Sequence, residues 1–262
     1  MHFWRPGLSD EIERIRRTYQ ERDASGVTSF FSYSNPAYAF HMQEREWAIL
    51  KAFRDIGLDL SNCRILEVGC GTGHILQRFR DFGAGDVQGI ELMENRVASA
   101  NKAYPNIKVQ QGNAAQLPFT ENDFDMTMQF MCISSVLDEK TRAAIAMEMW
   151  RVLRPGGYML SYDLRPGFSL LAFIRAQLGR LRRMFVTPPP RTGHVTPIKP
   201  LGLDEIRHWN LDGDMKVYEL SLDFRIAKIA RYSRIAAQFC ALAPWWRTSY
   251  LVLIKKPSQL GA

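Results

Sequence analysis

The feature that most constrains the fold is a regular alternation of extended and helical patterns between residues 64 and 162. Extended runs are predicted at 64–68, 86–91, 107–110, 124–131 and 158–162, and helical patterns at 74–82, 95–104 and 138–153. Strands that alternate with helices at this interval need crossover connections, which produce a parallel sheet with helices on both faces. The sequence therefore predicts a doubly wound α/β fold.

Further segments flank this core. The first 57 residues combine a capped helix that ends near Arg22, an aromatic stretch broken by Asn35-Pro36, and a helical pattern that includes Trp47. After residue 164 regularity lapses until about 214, and two late strands joined by a helix follow. The sequence predicts four units. Residues 1–57 form a helical cap and lid, and residues 58–164 form the core. Residues 165–214 are a basic insertion after strand five that forms a substrate lid, and residues 215–262 complete the sheet.

Composition places the chain among folded proteins of ordinary type. Of 262 residues, 46% are hydrophobic and 23% are charged, which excludes collagen-like and largely disordered chains. No apolar run is long enough to cross a bilayer, and no signal-like segment opens the sequence, so we expect a cytoplasmic protein. The four cysteines are scattered without metal-ligand spacing, so neither disulfides nor a metal are expected.

The net charge of +7 is concentrated in one segment. Between Arg165 and Pro200 the sequence has basic residues and no acidic one, whereas the rest of the chain is neutral. A local basic segment on a neutral body favours an anionic acceptor or a peripheral membrane contact through 168–185 over nucleic acid. The alternative is a lid helix whose basic face, with Arg175, Arg180, Arg182 and Arg183, simply faces solvent.

A glycine-rich turn follows the first predicted strand. Gly69, Gly71 and Gly73 permit a tight strand-to-helix turn and let a ligand approach the backbone. The dinucleotide fingerprint would need a sixth-position glycine where this chain has His74, which disfavours a nicotinamide-dependent oxidoreductase. Glu67 stands just before the turn, where a carboxylate suits a ligand that carries an ammonium group.

A second acid and a polar loop extend the predicted site. Glu91 ends the second strand about 20 residues beyond the glycines, a position from which a carboxylate accepts hydrogen bonds from ribose hydroxyls. Leu92 and Met93 follow it, and Asn113 and Ala114 follow the third strand. These residues are expected to supply an amide and apolar contacts around an adenine.

With these motifs the chain resembles the class I S-adenosylmethionine-dependent methyltransferases, in the small-molecule branch with the type 11 domain. The matching segments are 67–73, Glu91, 112–114, 117–119, 124–125 and 153–157. Asn113 departs from the Asp that such proteins usually have there. The resemblance implies a Rossmann-like seven-stranded sheet with an antiparallel last strand, and S-adenosylmethionine as cofactor with S-adenosylhomocysteine as product. Together, the motifs and the resemblance predict these cofactor-binding residues: Glu67, Gly69, Gly71, Gly73, Glu91, Leu92, Met93, Asn113, Ala114, Gln129 and Phe130. Tyr33 of the aromatic stretch is added to them as a candidate lid residue.

The acceptor side stays open at this level. We expect methyl transfer to a hydroxyl of a small molecule such as a natural product or sugar, with His194, His41 or Tyr250 as the base. Phosphorylated or lipid-linked acceptors at a membrane surface, amine acceptors that need no base, and a non-catalytic module that only binds the cofactor are the alternatives. Tyr33 either closes over the cofactor or packs into the core, and the sequence does not indicate an oligomeric state.

Overall fold

The computed structural model describes residues 6–24, 33–166, 197–222, 227–243 and 246–258. These residues form a seven-stranded sheet with the order β3-β2-β1-β4-β5-β7-β6. Its strands are β1 (Arg64–Val68), β2 (Asp86–Glu91), β3 (Lys108–Gln111), β4 (Phe124–Phe130), β5 (Leu153–Leu164), β6 (Asp214–Leu222) and β7 (Arg247–Lys255). The helices are α1 (Pro6–Ala24), α2 (Pro36–Ile56), α3 (His74–Asp81), α4 (Glu94–Ala103), α5 (Glu139–Val152), α6 (Leu203–His208) and α7 (Arg234–Ala241), with 3₁₀ turns at Ile133–Ser135 and Lys228–Arg231.

Strands β1 to β5 are parallel, and β7 is antiparallel to both of its neighbours. The predicted doubly wound Rossmann-like fold, with two late strands that complete the sheet, is therefore confirmed. The strand pattern at 158–162 lies within a longer strand, because β5 begins at Leu153 and includes the turn around Pro155. In such a sheet, ligands bind at the carboxyl ends of the parallel strands.

The core has one apolar layer on each face of the sheet. Phe53 of α2 and Phe79 of α3 pack on one layer, with their ring centroids 5.8 Å apart. Met149 of α5 and Ile206 of α6 pack on the other layer. Helices therefore cover both faces, as the alternating pattern predicts.

Helix α2 begins earlier than the sequence pattern indicated. The Asn35 side chain accepts a hydrogen bond from the Ala37 N–H at 3.2 Å, and Pro36 occupies the first helical position, where no N–H is needed. Tyr38 and Phe40 of the aromatic stretch therefore lie within the helix and not before it. The helix ends at Gly57, which has a φ of 64°.

Helix α1 packs against two segments near the carboxyl edge of the sheet. Glu11 accepts a hydrogen bond from the Leu137 N–H at 2.6 Å, and Arg14 donates one to the Ser135 carbonyl at 2.7 Å. At its other end, Asp23 forms an ion pair with Arg96 of α4 at 2.6 Å. The helix thus connects the loop after β4 to the helix after β2.

Of the insertion after β5, the structure describes only Arg165, Pro166 and the part from residue 197 onward. There the fully buried Arg142 of α5 donates to the Lys199 carbonyl at 2.8 Å and pairs with Glu205 of α6 at 2.7 Å. The predicted lid helix at 168–185, with its four arginines, lies outside the described residues. Among the helices that are described, none is long and apolar enough to cross a membrane.

Candidate active site

The glycine turn after β1 depends on backbone conformations that favour glycine. Gly69 has a φ of 65°, and a Cβ atom there would lie 2.5 Å from the Cys132 Sγ. Gly73 has a φ of 78° and precedes α3, which begins at His74. Both positions have left-handed backbone conformations that only glycine adopts at low cost. The turn therefore presents its backbone closely to whatever lies at the end of β1.

Glu91 is held over this turn by backbone hydrogen bonds. Its Oε2 accepts the Gly71 N–H at 2.8 Å, and its Oε1 accepts the Met93 N–H at 3.0 Å. The side chain is only 7% exposed. Because each carboxylate oxygen can accept two hydrogen bonds, the fixed carboxylate retains capacity for a ligand's hydroxyl groups. Leu92 is half-buried beside it.

Glu67 at the end of β1 is the most unusual acid of the site. Its side chain is 1% exposed, and its Oε2 atom has no hydrogen-bond partner among the described residues. Burial raises the pKa of this carboxyl to about 8, nearby Arg45 opposes that shift, and Glu91 adds to it. A buried carboxyl oxygen without a partner is costly, and a cationic ligand would satisfy it.

Arg45 of α2 is a site residue that the sequence reasoning missed. It is 6% exposed, and its guanidinium carbon lies 5.3 Å from the Phe130 ring centroid and 5.6 Å from that of Tyr162. Phe130 ends β4 and Tyr162 lies two residues before the end of β5, so α2 brings a positive charge to the carboxyl edge of the sheet. The sequence indicated its place only through helical spacing. Arg45 follows the predicted site residue His41 by four residues, so the two lie on the same side of a helix.

Two further predicted contacts have other partners in the structure. Tyr33 is 58% exposed, with its ring 5.6 Å from that of Tyr38 in an edge-on arrangement. The Asn113 side-chain oxygen accepts the Ala115 N–H at 3.0 Å and thereby stabilises its own loop. Ala114 is half-buried next to it. Contacts of these residues with a cofactor stay predictions.

Gln129 belongs to a buried polar network below the site. Its amide nitrogen donates to the Ser161 Oγ at 2.6 Å and to Asp163 at 3.3 Å, and its oxygen accepts the Cys132 N–H at 2.9 Å. The side chain is fully buried, so it fixes the turn after β4. A direct cofactor contact was predicted for Gln129, but both ends of its amide are engaged within the protein.

Two of the three predicted bases, His41 and Tyr250, lie within the described residues, and they belong to different elements. His41 is half-buried on α2, one turn from Arg45. Tyr250 is 2% exposed and packs in the core layer on the opposite face of the sheet from Phe130. Burial raises the pKa of its hydroxyl, which makes Tyr250 a poor base, so this prediction is not supported. His194 lies outside the described residues.

Comparisons with known proteins identify the same region. The sequence pattern of a family described as "Methyltransferase domain" matches residues 65–157. A probable S-adenosylmethionine-dependent methyltransferase of Mycolicibacterium smegmatis is 35% identical over 106 residues, which are 40% of each chain. A fatty-acid O-methyltransferase of the same organism is 32% identical over 121 residues, or 45% of this chain and 43% of the relative. The chain thus spans less than half the length of these curated relatives.

A solved structure shows that the fold is shared over a longer region. A protein of Methanosarcina mazei described as an S-adenosylmethionine-dependent methyltransferase superposes with a TM-score of 0.57 and 21% identity. The match covers 80% of this chain and 98% of that one. At 21% identity, this superposition shows that the two proteins share a fold.

The described residues fit the cofactor that these relatives name. The unpartnered Glu67 oxygen suits the ammonium group of S-adenosylmethionine, and the fixed Glu91 carboxylate suits ribose hydroxyls. Gly69 and Gly71 both have left-handed backbone conformations, and a Cβ at Gly71 would meet no atom within 4 Å, so the backbone of the turn is open to a ligand there. Residues 65–157 of this chain therefore constitute a class I S-adenosylmethionine-dependent methyltransferase domain.

Proposed function

We propose that the protein transfers the methyl group of S-adenosylmethionine to an oxygen atom of a small-molecule acceptor, in the first instance a hydroxyl. The observation that carries this proposal is the buried Glu67 carboxyl, whose Oε2 lies beside the glycine turn without a partner among the described residues. A ligand that is cationic at this point would supply the missing partner. An anionic dinucleotide would instead add repulsion.

Each part of the cofactor has a candidate partner in the chain. Glu67 would bind the ammonium group and Glu91 the ribose hydroxyls, while Met93 and Ala114 would contact the adenine. When bound, the cofactor supplies a sulfonium-linked methyl group that a nucleophile can displace in line. The contribution of the protein is to align the two reactants, an effect worth up to about 7 to 11 kcal/mol in well-oriented cases.

The acceptor would approach from the side that α2 covers. His41 lies on this helix one turn before Arg45, and it is the one base candidate within the described residues that shares the face of Glu67. A hydroxyl acceptor must lose a proton, and a positioned base contributes roughly 10²- to 10⁴-fold to that step. His194 in the basic insertion is the alternative base.

The relatives favour an acceptor with an apolar part. A fatty-acid O-methyltransferase is similar to this chain over 45% of its length, which supports an oxygen acceptor and makes a carboxyl group the alternative to a hydroxyl. The basic insertion supports a phosphorylated or lipid-linked acceptor. A module that binds the cofactor without catalysis is the rival from another class, and turnover distinguishes it.

The decisive experiment compares the S-adenosylmethionine affinity of a Glu91 variant with that of a variant at a nearby acid. Glu91→Gln should weaken S-adenosylmethionine binding by about 5- to 150-fold, because the loss of a buried acceptor leaves hydroxyls unsatisfied at a cost of roughly 1 to 3 kcal/mol. Glu94→Gln, an exposed acid three residues further on, is the matched control and should bind normally. Equal affinity of the two variants, measured by calorimetry, would contradict the proposed ribose contact.

Turnover then tests the reaction itself. Formation of S-adenosylhomocysteine is followed with long-chain phenols, alcohols and carboxylic acids in the wild type and in His41→Asn and His194→Asn variants. The base is the histidine whose replacement lowers kcat without changing cofactor affinity. Tight cofactor binding without turnover on any acceptor class would favour the non-catalytic alternative.

A further inference from the structure

Helix α7 has an apolar surface that the described structure leaves uncovered. Ile235, Phe239 and Leu242 are 68–69% exposed, and Tyr232 just before the helix is 85% exposed. Because the first three follow each other at intervals of four and three residues, they lie on one side of the helix. These four residues are named the α7 face below.

The opposite side of α7 is the one that packs on the protein. Ala237 is fully buried in a small cluster with Ala37 and Phe40 of α2, and Cys240 and Ala241 pack against the same cluster. The helix is therefore attached through small residues, while its large apolar residues point outward. Large exposed apolar surfaces mark sites of interaction with a partner or a membrane.

The apolar surface continues onto the neighbouring helix. Trp47 of α2 is 68% exposed and lines a groove together with Gln238 and Leu242. Leu50 of α2, about one helical turn after Trp47, is 41% exposed. Solitary exposed apolar residues need no explanation, but a continuous patch of this kind does.

The charged residues of α7 itself and of the turn before it are all basic, whereas the acids of the adjoining groove, Glu44 and Glu219, belong to α2 and β6. Lys228, Arg231 and Arg234 are exposed at its border, and the sequence contains no acidic residue after Asp223. Basic residues that surround exposed aromatic and aliphatic side chains are typical of surfaces that lie on anionic bilayers. A second copy of the chain in a symmetric contact would instead place like charges together.

The α7 face lies at the functional edge of the sheet. Because β7 is antiparallel to both β5 and β6, the connection that contains α7 lies at the carboxyl ends of the parallel strands. Glu67 and Glu91 lie at the same edge. The cluster that holds α7 also includes Phe40, the neighbour of His41 in α2.

We infer that the α7 face docks on a lipid bilayer that contains anionic headgroups. Ile235, Phe239 and Leu242 enter the boundary between headgroups and acyl chains, and Lys228, Arg231 and Arg234 remain among the headgroups. The docked protein turns the carboxyl edge of its sheet toward the membrane. Delivery of a lipophilic acceptor from the bilayer to that edge rests on the proposed function, whereas docking itself does not.

Sedimentation with vesicles tests the docking. Wild-type protein should bind vesicles of phosphatidylcholine with phosphatidylglycerol, and bind vesicles of phosphatidylcholine alone much more weakly. The double variant Phe239→Ser with Leu242→Ser should lower the partition coefficient by at least about tenfold, because it removes two apolar side chains that docking would bury in the bilayer. Arg231→Glu with Arg234→Glu should abolish the preference for phosphatidylglycerol, and high salt should weaken wild-type binding.

Matched controls separate this surface from others. Met147→Ser removes a 50% exposed apolar residue of α5, and Lys102→Glu with Lys140→Glu reverses exposed charges elsewhere, so both should bind vesicles like the wild type. Cofactor affinity, measured in parallel, should be unchanged in every variant. A wild-type protein that binds vesicles but does not bind S-adenosylmethionine would therefore contradict the proposed function and leave the docking inference intact.

Four results would overturn the inference. The first is a wild type that does not bind phosphatidylglycerol vesicles. The second is an α7 double variant that binds them as well as the wild type. The third is a loss of binding that follows Arg180→Glu with Arg183→Glu instead, which would assign the contact to the basic insertion. The fourth is a wild-type dimer that the Phe239→Ser, Leu242→Ser variant dissociates, which would make the α7 face a contact between two copies.

Discussion

At the scale of single residues, Glu67 combines two properties that oppose each other. Burial keeps its carboxyl protonated up to a pKa of about 8, which costs folding free energy at neutral pH. The same burial leaves an oxygen atom without a partner among the described residues, ready for a cation. A cationic ligand should lower the pKa of Glu67 and release a proton when it binds.

This conflict predicts a pH dependence of stability. The unfolded carboxyl loses its proton near 4.5, whereas the folded one keeps it until about 8, so its contribution to stability is full below 4.5 and is lost as the pH rises through 8. Between pH 5 and pH 8, the free energy of unfolding of Glu67→Gln should therefore gain about 3 kcal/mol relative to the wild type. Denaturant titrations at both pH values measure this gain.

The exposed residue Glu94 provides the control for that comparison. Glu94→Gln should differ from the wild type by nearly the same free energy at both pH values. A Glu67→Gln variant that behaves like this control would mean that the Glu67 carboxyl is ionised in the folded protein, with solvent or a cation beside it.

The positions of site residues could be predicted where the signal was local. The glycines, Glu67 and Glu91 could be located because each lies at the end of a strand that the sequence pattern predicts, whereas their contacts with a cofactor stay predictions. Arg45 could not, because its place beside Phe130 depends on how α2 lies across the sheet, and a helical arginine in sequence is normally a solvated one. Likewise, nothing local distinguishes the buried amide of Gln129 from one that faces a ligand.

At the scale of elements, the start of α2 determines where its site-facing residues lie. The Asn35 cap and Pro36 fix the first turn, and Tyr38, His41 and Arg45 follow at helical intervals. Asn35-Pro36 resembled a break in sequence, although a capping residue before proline is also a helix start. Trp47 and Leu50, by contrast, follow the helical spacing but are exposed, so spacing alone did not determine burial.

The cap can be removed selectively. Asn35→Ala should lower the free energy of unfolding by about 1 kcal/mol, because the Ala37 N–H loses its acceptor. Asn35→Asp retains a side-chain oxygen and should restore most of that loss. Thermal or denaturant unfolding of both variants measures the difference, and equal destabilisation by the two would show that the cap contributes nothing to α2.

At the scale of the whole molecule, a buried arginine joins the C-terminal half to the core. The Arg142 side chain is fully buried and contacts three consecutive parts of the returning chain: the Lys199 and Pro200 carbonyls and the Glu205 carboxylate. The alternation of strands and helices predicted the sheet and its class. It could not predict this connection, because the partners are distant in sequence and lie in irregular structure.

Loss of this connection should be costly. Arg142→Met should destabilise the protein by about 3 kcal/mol, because the buried carbonyls and Glu205 lose their charged donor. Arg207→Met removes an arginine that pairs with Asp204 at an exposed position, and it should change stability little. Similar unfolding free energies for the two variants would show that Arg142 is dispensable for the fold.

The contacts of α1 determine when this helix can reach its native position during synthesis of the chain. This helix emerges from the ribosome before the rest of the domain, yet Glu11 and Arg14 bond to Leu137 and Ser135, and Asp23 pairs with Arg96. The chain must therefore be synthesised at least as far as Leu137 before α1 can occupy its native position. Until then the side of α1 that packs on the protein has no native partner. In the nascent chain this side is therefore exposed to non-native association.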